Sequence, residues 1–461
     1  MVQGLDGDLY GTTVSGGVSN GGTVFKMTTS GALTTLYNFC SQANCADGVR
    51  PSGALVQAPN GELYGTTFLG GAHHGTVFKI TPSGTLTTLY SFCSQANCAD
   101  GGGPQGLVQA TNGELYGTTY YGGVNCQAAS ECGTVFKITP SGTLTILYSF
   151  CSQANCADGS GPAGLVQATS GELYGTTVNG GVNGGVNCQA ASGCGTVFKI
   201  TPSGTLAAVY SFCSQANCAD GAFPQTGLVQ ATNGELYGTT GGGGGNLQQC
   251  TFNGVPGCGT AFRITPGGAL TTLYNFCSQG GCADGSCPLG PLIQATNGEL
   301  YGTTAFPQGT VFQISPSGTL ATLYSFCSQA NCADGQFPEA SLFQATNGDL
   351  YGTTAYGGTS NQCRYAYSGQ RCGTVFSLSV GLGPFVESLP GSGSVDSTVK
   401  ILGTNLTGAT GVTFNGAAAV FKLAAPSLIT TTVPAGATTG KIQVVTPTGT
   451  LSSNVAFRVR P

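Results

Sequence analysis

Twenty of the 21 cysteines fall into short-range pairs. Cysteines so placed can close disulfides in an oxidising space or, as thiolates, hold a metal ion. Six pairs share the spacing Cys-x4-Cys ahead of Ala-Asp-Gly: Cys40/Cys45, Cys93/Cys98, Cys151/Cys156, Cys213/Cys218, Cys277/Cys282 and Cys327/Cys332. Four more precede a Gly-Thr-(Val/Ala)-Phe string: Cys126/Cys132, Cys188/Cys194, Cys250/Cys258 and Cys363/Cys372. Tetrahedral zinc needs two such pairs to meet. The spacing assigns the two kinds of pair to different structural units, so the reading is local disulfides, with no metal and no cofactor. Cys287 is left over, as a spare thiol or an alternative partner for Cys282.

Acid–base chemistry needs carboxylates or histidines in unlike surroundings, and most acids here recur in register. Glu62, Glu114, Glu172, Glu235 and Glu299, with Asp8 and Asp349, follow one turn signal. Asp47, Asp100, Asp158, Asp220, Asp284 and Asp334 follow Cys-Ala. These 13 of 18 acids read as structural, the Asp-Gly copies capping turns rather than binding calcium. The unrepeated polar residues are His73 and His74, Glu131, Glu339, Arg50, Arg364 and Arg371. Tyr120, Tyr121, Tyr356, Tyr365 and Tyr367 occupy variable loops, where they can stack on a ligand. No catalytic residue is assigned on this basis. His73, His74, Tyr121 and Tyr365 are the candidate ligand contacts.

A repeat positions these groups. Leu-Tyr-Gly-Thr-Thr occurs seven times, with tyrosines at 10, 64, 116, 174, 237, 301 and 351. A Gly-Thr-(Val/Ala)-Phe string follows each copy. One unit runs Gly106-Leu-Val-Gln-Ala, Asn112-Gly, Glu114-Leu-Tyr-Gly-Thr-Thr, a variable loop, Gly133-Thr-Val-Phe-Lys-Ile-Thr, Pro140-Ser-Gly, Leu144-Thr-Ile-Leu-Tyr-Ser-Phe. That is four short β-rich runs separated by turn signals, the pattern of a propeller blade. A stacked solenoid is the competing architecture. The seventh unit stops at Gly373-Thr-Val-Phe-Ser-Leu-Ser, without a fourth strand. In a four-stranded up-and-down blade the loop between strands two and three shares a face with the connection to the next blade. Both cysteine loops therefore belong on one rim, where binding loops are usually built.

The units resemble the Gloeo/Verruco (GloVer) tandem repeat of bacterial surface and secreted proteins, through Asn112-Gly-Glu-Leu-Tyr-Gly-Thr-Thr, Gly122-Gly123 and Gly133-Thr-Val-Phe-Lys-Ile-Thr-Pro-Ser-Gly. Their strand order is also similar to NHL-type propellers. The resemblance covers about residues 1–380. It implies export and attachment to the cell surface, and supplies no catalytic residues.

Composition shifts after Val380, where Gly381-Leu-Gly-Pro384 reads as a linker. Runs at 398–402, 411–414, 419–423, 428–433, 440–446 and 455–459 alternate with Gly, Pro and Asn turns, as in a small β-sandwich. The segment resembles an IPT/TIG domain through Val399-Lys-Ile-Leu-Gly-Thr-Asn-Leu, Val412-Thr-Phe-Asn-Gly, Val433-Pro-Ala-Gly-Ala-Thr-Thr-Gly-Lys-Ile and Phe457-Arg-Val. The expected architecture is all-β: a seven-bladed β-propeller over 1–380, then an immunoglobulin-like sandwich over 381–461.

Charged residues are 7% of the chain, against about 25% in an ordinary soluble domain. The net charge of −5 lacks the basic footprint of a nucleic-acid binder. No apolar stretch is long enough to span a bilayer. Paired cysteines imply an extracellular or cell-surface setting, and Met1 opens no signal peptide, which reads as a truncated or mis-assigned start. The leading expectation is a non-enzymatic scaffold that binds a protein or glycan through its stapled rim. The alternative is a secreted propeller enzyme, a polysaccharide lyase or hydrolase using His73 or a rim acid–base pair.

Overall fold

The computed structural model describes residues 1–71, 74–126, 130–183, 193–246, 248–360 and 372–460. Its regular structure is β-sheet, with six three-residue 3₁₀ turns and no α-helix among the described residues. Each of the first six units forms a four-stranded sheet of neighbouring strands, and the seventh forms a three-stranded one. In the third sheet the strands are Gly102–Gln109, Leu115–Tyr121, Thr134–Ile138 and Leu144–Ser149, all antiparallel.

The motif builds these sheets through burial on both faces. Leu115, Tyr116, Thr118 and Thr119 are at most 1% exposed, as befits a strand sandwiched between layers. Gly117 is glycine because a Cβ there would lie 2.7 Å from the Gly106 carbonyl oxygen and 2.5 Å from the Phe136 ring. At the Pro-Ser-Gly turn, Gly142 holds φ +97°, a conformation that favours glycine. The Thr139 hydroxyl then accepts the Thr143 N–H at 3.1 Å.

Neighbouring sheets share apolar clusters. Phe150, at the end of the third sheet's fourth strand, meets Phe198 of the fourth sheet at 5.1 Å between centroids. Phe39–Phe78, Phe92–Phe136, Phe212–Phe262, Phe276–Phe312 and Phe326–Phe376 repeat the contact at 5.0 to 5.2 Å. The seventh sheet closes onto the first. Ala345 and Tyr351 pack with Leu9, Phe25 and Met27, and the Thr346 N–H donates to the Gln3 side chain at 2.9 Å. The same glutamine link joins the third sheet to the fourth, through Thr111 and Gln167. The architecture is propeller-like.

The recurrent acids are structural. Asp158 is fully buried. Its Oδ2 accepts from Tyr148 Oη (2.9 Å), Ser152 N (3.0 Å) and Ser152 Oγ (2.9 Å), and its Oδ1 from Gln153 N at 3.3 Å. That is turn capping of the Cys151–Cys156 loop. Asp158→Ala leaves these donors without their acceptor in a buried place, so a loss of about 1–3 kcal/mol is expected. A lower urea midpoint at unchanged m-value would show it. The other series makes surface ion pairs such as Lys79–Glu62 at 2.9 Å, each worth about 0–1 kcal/mol.

After the linker come two further four-stranded sheets. One holds Val386–Leu389, Thr398–Gly403, Leu428–Thr432 and Phe421–Ala425; the other holds Ala417–Ala419, Gly411–Phe414, Ile442–Thr446 and Gly449–Ser452. Val399, Ile401, Phe414, Ile429, Ile442 and Val444 form the core between them. This unit rests on the tight-turn side of the ring. Asn454 Nδ2 donates to the Gln294 carbonyl at 3.3 Å, Arg460 Nη1 to the Thr111 carbonyl at 3.1 Å, and the Phe385 N–H to the Thr346 carbonyl at 3.0 Å.

Candidate functional site

The cysteine loops and the loops between second and third strands do share a rim, and hydrogen bonds knit one sheet to the next. The N–H groups of Gly71, Gly123, Gly181, Gly244 and Gly358 donate to the carbonyls of Cys45, Cys98, Cys156, Cys218 and Cys332 at 2.9 to 3.0 Å. Disulfides join Cys40–Cys45, Cys93–Cys98, Cys126–Cys132, Cys151–Cys156, Cys213–Cys218, Cys250–Cys258, Cys277–Cys282 and Cys327–Cys332. Cys194 and Cys372 are also disulfide-bonded. Cys188 and Cys363 lie outside the described residues. Cys287 is a buried free thiol whose pKa burial pushes up.

One sequence expectation needs correction here. The two kinds of pair do not belong to different units. Cys126, Cys132 and Cys151 come within 4.8 Å of one another, as do Cys194, Cys213 and Cys218, and Cys250, Cys277 and Cys282. The fourth strand returns the chain to the rim beside the loop of its own sheet, which brings the pairs together. Sulfurs committed to disulfides are not thiolate ligands, so the clusters serve as staples.

Beside the Cys126–Cys132 staple, one group of unrepeated polar residues converges. Glu131 precedes Cys132 and is exposed. Asn179, which ends the strand Leu173–Asn179 of the fourth sheet and is 8% exposed, donates from Nδ2 to Glu131 Oε2 at 3.1 Å. The Tyr120 phenol lies near enough to Glu131 and Asn179 for both to act on its proton. Burial first, and then the Glu131 charge, hold its pKa well above the usual phenol range. Tyr121 is shifted upward by the same two causes.

Aromatic rings flank the group. Tyr120 and Tyr121 meet edge-on at 4.9 Å, and Phe68 of the second sheet meets Tyr121 at 5.7 Å. Gly103, at φ +63°, makes room for them, since a Cβ there would lie 2.9 Å from the Phe68 ring and 3.1 Å from the Tyr121 ring. A carboxylate held by Asn179 beside a phenol proton donor and an apolar wall can exchange protons with a bound polar ligand.

Of the candidate contacts, Tyr121 belongs to this group. His74 is on the same rim, but its Nδ1 or Nε2 lies within 4.8 Å of the Cys93 and Cys98 sulfurs, and its carbonyl accepts the Gly103 N–H at 2.7 Å. His73 and Tyr365 lie outside the described residues. Tyr356 packs at 5.8 Å on Phe337. Glu339 is solvent-exposed ahead of the seventh sheet's first strand, Phe343–Gln344, and partial desolvation raises its carboxyl pKa. Asn179 and Phe68 were not singled out from sequence. A signal existed: in the second to fourth sheets the second strand runs seven residues, against five in the first, fifth and sixth. The extra two residues are Phe68-Leu69, Tyr120-Tyr121 and Val178-Asn179.

The family described as the Gloeobacter/Verrucomicrobia repeat matches residues 1–188, 127–366 and 250–442. No curated protein matches the chain. Among solved structures, a protein described as a 6-phosphogluconolactonase from Bacteroides uniformis is similar at 17% identity and a TM-score of 0.47, over 80% of this chain and 98% of the other. A gluconolactonase is similar at 14% identity and 0.39, over 72% and 89%. The aldose sugar dehydrogenase of Streptomyces coelicolor, bound to PQQ, is similar at 13% identity and 0.38, over 71% and 94%. At this distance the likeness extends to fold only. These neighbours are nonetheless enzymes by description, which corrects the expectation of a non-enzymatic binding scaffold. What this chain can do rests on its own residues.

Proposed function

The chain belongs to the Gloeobacter/Verrucomicrobia repeat family, and from that premise we propose that it is a secreted, seven-bladed propeller enzyme that cleaves a polysaccharide at the Glu131 rim site. The observation that carries this reading is the Glu131 carboxylate held by Asn179, beside Tyr120 and the Tyr121 and Phe68 rings. Aromatic faces suit the apolar faces of sugar rings, and Tyr121 and His74 are the described rim contacts we assign to the glycan. His73 and Tyr365 extend that set by sequence. The seven successive sheets support the blade count. The two facing four-stranded sheets support reading the C-terminal unit as an immunoglobulin-like, IPT/TIG-type module. The many disulfides support export.

A lyase fits this group better than a hydrolase. Glycoside hydrolysis generally uses two carboxylates flanking one bond, and only Glu131 is bonded into this group among the described residues. β-Elimination from a uronate needs one base and one acid. Glu131 takes the proton α to the substrate carboxylate, and the electron pair left behind forms a carbon–carbon double bond as the neighbouring carbon–oxygen bond breaks. The Tyr120 phenol, kept protonated, gives its proton to the departing oxygen, and the proton on Glu131 then restores the phenol.

The test is digestion of acidic and neutral polysaccharides by the purified chain. Unsaturated, ultraviolet-absorbing ends should appear with polyuronates and not with neutral glucans. New reducing ends without that absorbance would sink the elimination step. No cleavage of any polymer would sink the enzyme reading.

A further inference from the structure

The seventh sheet lacks the strand that every other sheet uses to cover its outer edge. Its strands are Phe343–Gln344, Leu350–Thr353 and Val375–Leu378, and no strand among the described residues pairs with the outer side of the last. In the six complete sheets the third strand carries Leu-x-x-Leu-Tyr-x-Phe or a close variant on that side, as Thr310–Ile314 carries Leu320–Ser325. The difference shows in burial. Val311, Phe312 and Ile314 are fully buried, whereas Val375, Phe376 and Leu378 at the same register are only half-buried. A groove of about 330 Å³ runs along this strand, lined by Val311, Tyr324, Phe326, Val375, Phe376 and Leu378. A second vacancy agrees with it. Six third-strand phenylalanines receive a ring from the fourth strand of the preceding sheet, but among the described residues Phe25 of the first sheet receives none.

An unpaired strand edge offers a row of backbone donors and acceptors that an added strand can satisfy, with side-chain pockets setting which strand fits. We propose that this groove is a strand-addition site for an extended peptide segment bearing the repeat's own fourth-strand pattern, Leu-x-x-Leu-Tyr-x-Phe. The six intact sheets argue for that chemistry, because each shows which side chains fill the same register. The added strand would lie antiparallel to Val375–Leu378, and its aromatic residues would cover the half-buried apolar positions. The site is formed by the sixth and seventh sheets and uses no residue of the Glu131 group, so it stands independently of the catalytic reading.

The experiment uses the whole chain and a fluorescein-labelled peptide of the sequence at residues 143–150, Thr-Leu-Thr-Ile-Leu-Tyr-Ser-Phe, with a terminal lysine pair for solubility. Fluorescence anisotropy should show saturable binding, weakened at least tenfold when the peptide's Tyr and Phe are replaced by Ala. Because the change is in the peptide, the folding of the protein is untouched. Amide hydrogen exchange at Val375–Leu378 should slow when the peptide is added. Failure to bind, binding indifferent to the Tyr and Phe replacements, or binding without protection of this strand would each overturn the proposal. So would concentration-dependent self-association that excludes the peptide, since the occupant would then be a second copy of the chain.

Discussion

Glu131→Gln is expected to lower kcat on a cleaved polyuronate by about 10²–10⁴-fold, the usual contribution of a positioned acid or base. The amide keeps the shape and its oxygen can still accept from Asn179, but it cannot take a proton at neutral pH. KM should move little, because the aromatic wall of Tyr121 and Phe68 is untouched. Tyr120→Phe should also lower kcat while leaving the proton acceptor in place. The two losses should not add in the double variant, as for residues that act as one unit. Initial rates of ultraviolet-absorbing product, with the thermal midpoint as a check on folding, measure all three. A Glu131→Gln variant of undiminished kcat would remove the base from this site.

Phe150→Ala should destabilise the ring by about 3–5 kcal/mol, the range for deleting a buried aromatic side chain. Phe150 is fully buried and faces Phe198 across the boundary between the third and fourth sheets, so truncation empties space on both sides. The rigid neighbours, Tyr116 and Val135 of the third sheet and Leu173 of the fourth, cannot collapse into it without moving two sheets. Phe150→Leu should recover much of the loss by refilling most of the volume. Urea denaturation of the three forms gives the comparison. Equal midpoints for Phe150→Ala and the parent would mean that the sheets are not held together through this contact.

The sheets were readable from sequence because the repeat writes its first three strands seven times and the fourth six times, and copies are closed by turn residues with a distinct job, as at Gly142. The roles of Asp158 and its equivalents were readable for the same reason, since groups that recur in register belong to the scaffold. The Glu131 group was only half legible. Glu131 and Tyr121 stood out as unrepeated, but their partner Asn179 lies 48 residues further on and reaches them only because the fourth sheet packs beside the third. The meeting of the cysteine pairs was hidden for a similar reason. Spacing along the chain shows which cysteines are near neighbours in sequence, and not where the fourth strand delivers the second pair. The half-covered seventh sheet was visible as a missing strand, while the groove it leaves needed the sixth sheet's side chains in place.

The C-terminal unit holds the turn ends of the third, sixth and seventh sheets at once, so the side of the ring away from the staples is occupied. A long polymer cut at the proposed Glu131 site would meet the ring on its stapled face. It must lie across the stapled face as a rope lies across a rim, with both ends free in solvent. On the proposed reading, cleavage in that posture would fall at interior bonds and call for no chain terminus, so the polymer would shorten in large pieces before small ones accumulate.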